Sequence, residues 1–542
     1  IALYALAVLA RAVMAAGFPD PAYPDAFYYT EVARSLGGGQ GFSVDFVWIF
    51  AEVGGTIPAD PVLPIPSNAH WMPLPSILAA PFIALLGDGG AGQLASYVLV
   101  GALAAPLTWA IARDLGAPSW LAAGAGAIVA VPGMLAPFMA QPDNFGLYQP
   151  LVTAALWFGA RGLRGEPRLF ALAGLLAGFA TLSRNDGVLV LAALGLVWLV
   201  DRFLAWKSRG ARPPAIPLST AVACVALFVL VMAPWWLRQL AVFGTISPSA
   251  ASGKVLFIRD IGEWNSITAP ADLGWLLGQG LGPLVASRVG GFVAALTIFV
   301  VLGTSVVLAP FAVIGAWARR RDGRLAPFYV YAGLLFAANT LAFAVHVPGG
   351  TFIHSACALV PYTAILALEG IVVAVRWIAR RRATWDPDRA GRLFAGAAVV
   401  FVVGIAVPAT MSVHATWDSR RVTFREVAAQ LDAAGSTLDD RVMSIDAGGT
   451  KYWSGRGGVV LPNDPVDTIE AVADAYDIAW LVLDRRDTVA SMVPVLDRDE
   501  RPDWIGPAIW TSSGPDGRTE AGLYPVCLEP DDARCATEVA TR

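Results

Sequence analysis

Apolar runs of membrane-spanning length recur over most of this chain, and they constrain its fold more than any other feature. A helix that crosses the hydrocarbon core of a bilayer needs about 20 predominantly apolar residues. The 542 residues are 56% hydrophobic and only 15% charged, whereas soluble domains average about 25% charged residues. The sequence therefore predicts a mainly α-helical, polytopic membrane protein and lacks the polar surface that a soluble protein needs.

The apolar runs predict about eleven transmembrane helices. They cover residues 1–17, 93–112, 119–136, 147–163, 168–183, 188–204, 216–236, 289–317, 325–345, 355–377 and 393–411. The run 73–87 is shorter and contains prolines, so we interpret it as an interfacial or re-entrant helix, with a full span as the alternative. We interpret 1–17 as a span and not as a signal peptide, because no clear cleavage pattern follows it.

Basic residues gather on one side of this predicted topology. Of the 25 Lys and Arg residues before residue 412, 18 fall in the turns that are cytoplasmic if the N-terminus is inside. Cytoplasmic turns carry such an excess in membrane proteins. We therefore predict a multi-pass protein of the plasma membrane whose catalytic loops and C-terminal domain are extracytoplasmic.

The composition changes near residue 412. Residues 1–411 carry 25 Lys and Arg against 19 Asp and Glu, whereas residues 412–542 carry 13 against 23. The sequence predicts a transmembrane catalytic domain over 1–411, with a large first outer loop at 18–92, and a small extracytoplasmic α/β domain over 412–542.

Strand and helix patterns alternate within this C-terminal region. Arg441–Asp446 and Ile478–Asp484 are predicted strands, and Thr468–Tyr476 is a predicted helix between them. Gly448-Gly449 follows the first of these strands, but the region has no G-x-G-x-x-G sequence. We therefore expect no dinucleotide-binding fold.

The four cysteines fall into two pairs of different character. Cys224 and Cys357 lie in apolar runs, where a cysteine behaves as a small buried hydrophobic residue. Cys527 and Cys535 lie close together in the acidic tail. An extracytoplasmic tail would allow a disulfide between them. No cluster of Cys and His has metal-binding spacing, so the sequence predicts no metal site of that type.

Two acidic residues are candidates for catalysis. Asp25 lies in the first outer loop, between Pro24 and the aromatic residues at 27–29, and such surroundings can raise the pKa of a carboxylate towards that of a general base. Asp143 lies at the outer end of a predicted span. Two carboxylates can share a metal ion or divide base and orienting roles. The alternatives are a solvated Asp25 and an Asp143 that caps the helix beginning near Asn144.

Several further residues are candidates for an anion or substrate site. Arg184 and Asp186 lie between two strongly apolar spans, where ionisable side chains usually have partners. An arginine there would suit a phosphate, and an internal Arg184–Asp186 ion pair is the alternative. The other candidates for the donor phosphate or substrate are Tyr28, Tyr29, His70, Arg238 and His354, with Arg11, Lys254 and Arg259 as weaker ones.

Four short stretches resemble one family of membrane enzymes. They are residues 25–29 with the glycines that follow, His70-Trp71-Met72-Pro73-Leu74-Pro75, Leu182-Ser183-Arg184-Asn185-Asp186-Gly187, and Tyr452-Trp453-Ser454-Gly455-Arg456. In this order and topology they resemble the GT-C superfamily of glycosyltransferases. The resemblance is to the branch of the dolichyl-phosphate-mannose-protein mannosyltransferases and ArnT-like aminoarabinose transferases.

The resemblance implies a GT-C-like fold, a polyprenyl-phosphate sugar donor, and inverting transfer of a hexose or pentose on the outer face of the membrane. It implies that Asp25 is the general base and that Asp143 is a second acid. The acceptor would be a lipid, glycan or protein that offers a hydroxyl or amine, and no nucleic acid would take part. The sequence has no acid directly beside Asp25, where several branches have one. A divalent metal therefore stays open as a cofactor, and no metal ligand is assigned.

Two other functions compete with glycosyl transfer. The first is a transporter or flippase of a lipid-linked or anionic substrate, but the ionisable residues cluster in the predicted outer loops, and no inverted repeat is evident. The second is a non-catalytic assembly protein that keeps the fold. Asp25→Asn separates them, because only an enzyme that uses this base should lose its activity.

Overall fold

The computed structural model of the protein describes residues 1–208, 213–342, 351–382, 385–528 and 534. The chain divides into two compact units, each made of three segments. We call Ile1–Asp20, Trp71–Arg238 and Ala286–His414 the helical unit, and Pro21–His70, Gln239–Val285 and Ala415–Arg542 the mixed unit. The last boundary between the units, His414/Ala415, lies close to the predicted one at 411/412, and parts of two predicted outer loops group with the C-terminal residues.

Helices make up most of the described chain. The α-helices of ten or more residues are Ala2–Gly17, Pro24–Gly37, Leu74–Leu86, Gly90–Gly101, Ala104–Asp114, Ser119–Ala130, Phe145–Gly162, Pro167–Ser183, Val188–Lys207, Leu218–Phe243, Leu281–Ile298, Ala309–Ala318, Ala326–Ala337, Val360–Ala379, Pro387–Ala433 and Val466–Ala475. The shorter α-helices are Ala250–Lys254, Ile261–Trp264, Leu273–Gly278, Thr351–Ala356, Ala447–Ser454 and Val493–Arg498. Single turns of 3₁₀ helix include Val53–Gly55, Asn185–Gly187 and Cys357–Leu359, and Gly133–Ala140 is a longer 3₁₀ segment.

Among the described residues, seven helices are long and apolar enough to cross a membrane. The number rises to eight if Ser119–Ala130 and Gly133–Ala140, which are bent by 53°, form one span. The multi-pass membrane fold is thus supported, whereas the predicted number of eleven spans is not confirmed. Three of the predicted spans account for the difference. Helices Ala2–Gly17 and Pro167–Ser183 are short for a span, and Phe145–Gly162 is less apolar because it contains Gln149, Pro150 and Arg161.

The helical unit packs its helices through small residues. Helices Ala309–Ala318 and Val360–Ala379 approach so closely that a Cβ on Gly315 would lie 1.9 Å from the Leu366 carbonyl oxygen. A Cβ on Gly370 would lie 1.9 Å from the Phe311 carbonyl oxygen. Small residues of this kind allow backbones of membrane helices to touch, and van der Waals packing then stabilises the pair.

The mixed unit is built on a six-stranded sheet. The strands of the described chain are β1 (Ser43–Val44), β2 (Phe46–Val47), β3 (Ile65–Pro66), β4 (Arg441–Ser444), β5 (Gly458–Val460), β6 (Ile478–Asp484), β7 (Trp510–Ser513) and β8 (Thr519–Pro525). Strands β1 and β3 form a separate two-stranded sheet, and the other six form the large sheet. The order in the sheet is β2-β5-β4-β6-β8-β7. The first four strands are mutually parallel, and β8 and β7 are antiparallel to their neighbours.

The predicted α/β character of the C-terminal region agrees with this sheet. Strands β4 and β6 coincide closely with the predicted strands, and helix Val466–Ala475 lies between them as predicted. A core of Val442, Trp480 and Leu523, with residues of the preceding helix such as Leu431, supports the sheet. In contrast, β2 comes from the first predicted loop, more than 390 positions before its partner β5. Cys527 is disulfide-bonded, and Cys535 lies outside the described residues.

Candidate active site

Asp25 lies in the first turn of a helix and not in an open loop. Helix Pro24–Gly37 begins with Pro24, whose fixed φ suits the first helical position. A carboxylate in the first turn interacts favourably with the helix dipole. Asp25 is half-buried, whereas the residues that follow it, from Ala26 to Thr30, are buried. The helix therefore fixes the backbone of Asp25 on one ordered element.

The hydroxyl of Tyr28 belongs to a buried network within the mixed unit. It donates a hydrogen bond to Glu52 Oε1 at 2.8 Å and accepts one from the Asn68 N–H at 2.7 Å. The Asn68 carbonyl in turn accepts a hydrogen bond from Gln239 Nε2 at 2.8 Å. Tyr29 is also buried and lies edge-on to Tyr28. These contacts fix the helix that carries Asp25, and both tyrosines are buried. Their contact with substrate stays a prediction.

Glu52 is a buried acid that the sequence analysis did not single out. It is fully buried, and the Trp48 N–H donates to its Oε2 at 3.2 Å. Burial raises the pKa of Glu52 to about 7, although its hydrogen bonds with Tyr28 and Trp48 act in the opposite direction. The sequence does offer one indication of this burial, because Glu52 directly follows the apolar run 46–51. A carboxylate that is buried with such a run needs hydrogen-bond partners.

His70 has its contacts within the mixed unit. Its Nδ1 lies 2.7 Å from Ser249 Oγ, and its ring lies edge-on to Trp264. Ser249 also caps helix Ala250–Lys254 by accepting from the Ser252 N–H. His70 therefore connects residues of two predicted outer loops. Its role at a donor phosphate stays a prediction.

Arg184 and Asp186 form a polar cluster at a break between two helices of the helical unit. Helix Pro167–Ser183 ends before Arg184, whose backbone is extended, and a single 3₁₀ turn leads into the next helix. Gly187 permits this tight break, because a Cβ there would lie 2.5 Å from the backbone of residues 180–181. The break directs both ionisable residues into one cluster.

Ser355 holds the two charged side chains together. Its hydroxyl accepts from Arg184 Nε at 2.6 Å and donates to the Asp186 carboxylate. Arg184 Nε also lies 3.1 Å from Asp186 Oδ1. Ser355 is fully buried, and both charged side chains are less than one-fifth exposed. The internal ion pair considered from the sequence is therefore present, and it orients the guanidinium group.

Asp143 and His354 form a second pair in the helical unit. Asp143 Oδ2 lies 3.3 Å from His354 Nδ1, and both side chains are buried. Asp143 Oδ1 accepts from the Asn144 N–H at 2.5 Å, just before helix Phe145–Gly162 begins. The His354 ring packs on the Phe145 ring with centroids 4.3 Å apart. The structure thus brings two predicted site residues together, and Asp143 has a local backbone contact besides its partner.

Residues 354 and 355 are adjacent in the chain, and each belongs to one of these two polar groups. The helical unit therefore has the pair Asp143–His354 and the group Arg184–Ser355–Asp186. Ionisable side chains among apolar helices are costly and usually serve a function. Asp143 and His354 offer a carboxylate and an imidazole, which are suitable metal ligands, but here they contact each other. Ser355 was missed from the sequence, and its position next to His354 was the only hint.

Arg238, the remaining predicted residue, lies near the end of helix Leu218–Phe243. Its guanidinium group is 5.1 Å from the centre of the Trp235 ring. A cation above an indole ring is stabilised electrostatically. The described contact thus gives Arg238 a packing role, and its binding of a phosphate stays a prediction.

Comparisons with known proteins support the fold. No family model matches the sequence, and no curated protein matches it. Several solved structures are similar in three dimensions, and two of them are described here. The oligosaccharyltransferase of Archaeoglobus fulgidus, tethered to an acceptor peptide with an NVT sequon, aligns with a TM-score of 0.54 and 14% identity, over 95% of this chain and 73% of its own.

The second structure is ArnT from Cupriavidus metallidurans bound to undecaprenyl phosphate. It aligns with a TM-score of 0.54 and 12% identity, over 96% of this chain and 97% of its own. At these identities the likeness shows that this chain shares the fold of these two structures, and it does not distinguish between the branches.

Proposed function

We propose that this protein is a glycosyltransferase that moves a sugar from a polyprenyl-phosphate donor to a hydroxyl or amine on the outer face of the membrane. The observation that carries the proposal is the partly buried Arg184–Ser355–Asp186 group in a chain with the GT-C fold. A guanidinium group binds phosphate oxygens in a forked geometry. The donor of such a reaction has a phosphate at the bond that breaks, so an oriented arginine suits it.

The proposed reaction is a single displacement with inversion at the anomeric carbon. The acceptor oxygen or nitrogen forms a bond with this carbon, and the bond from the carbon to the phosphate oxygen breaks. The acceptor's proton goes to Asp25, and the electron pair of the broken bond goes to the phosphate. Arg184 would stabilise the charge on the leaving phosphate, because a fixed positive group aimed at developing charge lowers the barrier.

We extend the proposal to individual residues and to one branch of the GT-C superfamily. Asp143 and His354 would contribute to the donor side through their pair, with Asp186, Tyr28, Tyr29, His70 and Arg238 in supporting roles. The ArnT-like or protein mannosyltransferase branch would supply the donor class, a hexose or pentose on a polyprenyl phosphate. The solved ArnT bound to undecaprenyl phosphate favours a lipid donor of this kind.

The experiment that tests the function uses the purified protein in nanodiscs. It is supplied with a panel of radiolabelled polyprenyl-phosphate sugars and with membranes that provide acceptors. We expect one donor to support transfer, and Asp25→Asn to reduce it at least 100-fold, since general bases contribute about 10²- to 10⁴-fold. Asp60→Asn is the matched control, because Asp60 is an exposed aspartate of the same predicted loop.

The outcomes separate the competing functions. Transfer that survives Asp25→Asn would keep the enzyme class but assign the base elsewhere, with Asp143 as the next residue to test. Absence of transfer with every donor, for a protein that is folded, would contradict the proposal and favour a transporter or an assembly protein. Uptake of a lipid-linked substrate into vesicles would then identify the transporter.

A further inference from the structure

Asp446 occupies a position where α/β sheets often bind ligands. It follows β4 by two residues, at the carboxyl end of a strand that is parallel to both of its neighbours. Ligands of such sheets bind beyond the carboxyl ends of the strands. Asp446 is also the N-cap of helix Ala447–Ser454, where its Oδ1 accepts from the Gly449 N–H at 3.0 Å. One of its two carboxylate oxygens is therefore used by the fold.

The other carboxylate oxygen of Asp446, Oδ2, lacks a hydrogen-bond donor among the described residues. Asp446 is 4% exposed, and its Oδ2 is buried with no hydrogen-bond partner among the described residues. A buried carboxylate oxygen that lacks a donor has lost its hydrogen bonds to water without replacing them, which is unfavourable. Such an oxygen is stabilised when a ligand brings a hydroxyl or amine group to it.

The same side of the mixed unit carries the helix of Asp25. Helix Ala447–Ser454 packs against Pro24–Gly37 through the rings of Tyr452 and Phe27, whose centroids are 5.5 Å apart. Gly448 permits this approach, since a Cβ there would lie 3.1 Å from Phe27 Cβ. The Gly448-Gly449 pair, which has no place in a nucleotide fingerprint, therefore brings the N-terminus of this helix close to the Asp25 helix.

The charges around Asp446 come from three elements. Burial raises the pKa of Asp446 to about 6, and the negative charges of Asp487 and Asp25 act in the same direction. Arg420, on helix Pro387–Ala433, lowers it, as does the hydrogen bond from Gly449. Arg420 is itself paired with Asp487, which follows β6. The negative charge of Asp25, the proposed base, thus acts on the carboxylate of Asp446.

We propose that Asp446 is a second carboxylate of the acceptor site, where its Oδ2 accepts a hydrogen bond from the acceptor's hydroxyl or amine group. This inference rests on the proposed function and identifies the acceptor by its chemistry, as a hydrogen-bond donor. No acid stands beside Asp25 in the sequence, and Asp446 supplies one from the C-terminal part of the chain. Asp25 remains the group that takes the proton.

The test compares Asp446→Asn with Asp440→Asn in the transfer assay with radiolabelled donors. Asparagine at 446 can still accept from the Gly449 N–H, so the helix cap is kept. Asp440 immediately precedes β4 and accepts from Trp480 Nε1, a contact that asparagine can also make. We expect Asp446→Asn to reduce transfer roughly 10- to 100-fold, as for a lost hydrogen bond to a charged group, and Asp440→Asn to change it less than about twofold.

Two further readouts separate binding of the acceptor from a structural role. The wild-type rate should rise with pH around pH 6 as Asp446 loses its proton, and Asp446→Asn should remove this rise. Binding of undecaprenyl phosphate should be unchanged in Asp446→Asn. Equal transfer by the two variants, a retained rise near pH 6, or loss of lipid binding would each overturn the inference. Absence of transfer by the wild type would instead overturn the proposed function itself.

Discussion

The candidate-site carboxylates of the helical unit and of the mixed unit have different partners. In the helical unit Asp186 lies beside Arg184, and Asp143 lies beside the imidazole of His354. Moving a charge from water into an apolar environment is costly unless an opposite charge compensates for it. Pairing therefore allows ionisable residues to lie among apolar helices.

The mixed unit holds buried carboxylates with neutral groups instead. Glu52 accepts from a tyrosine hydroxyl and a backbone N–H, and Asp464 accepts from Ser266, Ile267 and Thr268. Neutral donors satisfy the oxygens but do not cancel the charge. Burial accordingly raises the pKa of Glu52 to about 7 and that of Asp446 to about 6. The cation beside Asp186 therefore suits the binding of an anion, whereas Glu52 and Asp446 retain a proton at higher pH than exposed acids do.

The largest expected effect comes from removing the cation of the helical unit. Arg184→Ala should reduce glycosyl transfer roughly 100- to 1,000-fold, about 3–4 kcal/mol, because a fixed group that stabilises transition-state charge is lost. It should also weaken binding of undecaprenyl phosphate, unlike Asp25→Asn. Arg168→Ala is the control, since Arg168 is exposed at the other end of the same helix. Unchanged lipid binding in Arg184→Ala would mean that this cluster is only structural.

A pH effect on stability should follow from the neutral environment of Glu52. The folded state holds the proton up to about pH 7, whereas an unfolded glutamate releases it near pH 4.3. Between these values the folded state binds more protons, so the free energy of unfolding falls as the pH rises, by at most about 4 kcal/mol. Thermal unfolding at pH 5 to 8 should show this fall in the wild type.

Glu52→Gln should reduce that dependence on pH. Glu470→Gln, on the exposed face of helix Val466–Ala475, should leave it unchanged. If Glu52→Gln had the wild-type profile, another group would be responsible, and the contrast between the two units would lose one of its supports.

Asp464 provides a third test, on the stability of a predicted outer loop. Its carboxylate accepts hydrogen bonds from the Ile267 and Thr268 N–H groups at 2.8 and 3.0 Å and from the Ser266 hydroxyl at 2.6 Å. Asp464→Ala leaves buried donors without a partner, so we expect a loss of about 2 kcal/mol in stability. Limited proteolysis should then cut near residues 266–268 first. Asp474→Ala, at an exposed site, should leave the cleavage pattern unchanged.

The sequence was sufficient for the membrane class and for much of the C-terminal sheet. Apolar runs and alternating strands are local patterns, which is why β4, β6 and the helix between them were predicted closely. The two-residue strand β2 has no such pattern, since its partner β5 is distant in the chain. The number of spans also depends on where helices bend or end, as at residues 131–132.

The candidate site was only partly predictable for the same reason. Residue type and position suggested Asp143, Arg184, Asp186 and His354, whose pairing the structure then describes. Whether a side chain is buried depends on the tertiary fold, so the contacts of the Tyr28 hydroxyl with Glu52 and Asn68 could not be predicted from the sequence. Ser355 could not be predicted, because an uncharged serine in a helical stretch has no pattern that distinguishes a functional hydroxyl from a structural one.

We expect the smallest effect on transfer from substitution of Ser355. It tests most directly whether the contacts with Ser355 and Asp186 orient Arg184. Ser355→Ala removes the hydroxyl between Arg184 and Asp186, and we expect about a tenfold loss of transfer, or about 1.4 kcal/mol, as for one hydrogen bond. Ser355→Thr keeps the hydroxyl and should restore most of the activity. Ser183→Ala is the control, because Ser183 is equally buried but its hydroxyl has no hydrogen-bond partner among the described residues. Equal losses in Ser355→Ala and Ser183→Ala would show that packing, and not the orientation of Arg184, matters at this helix break.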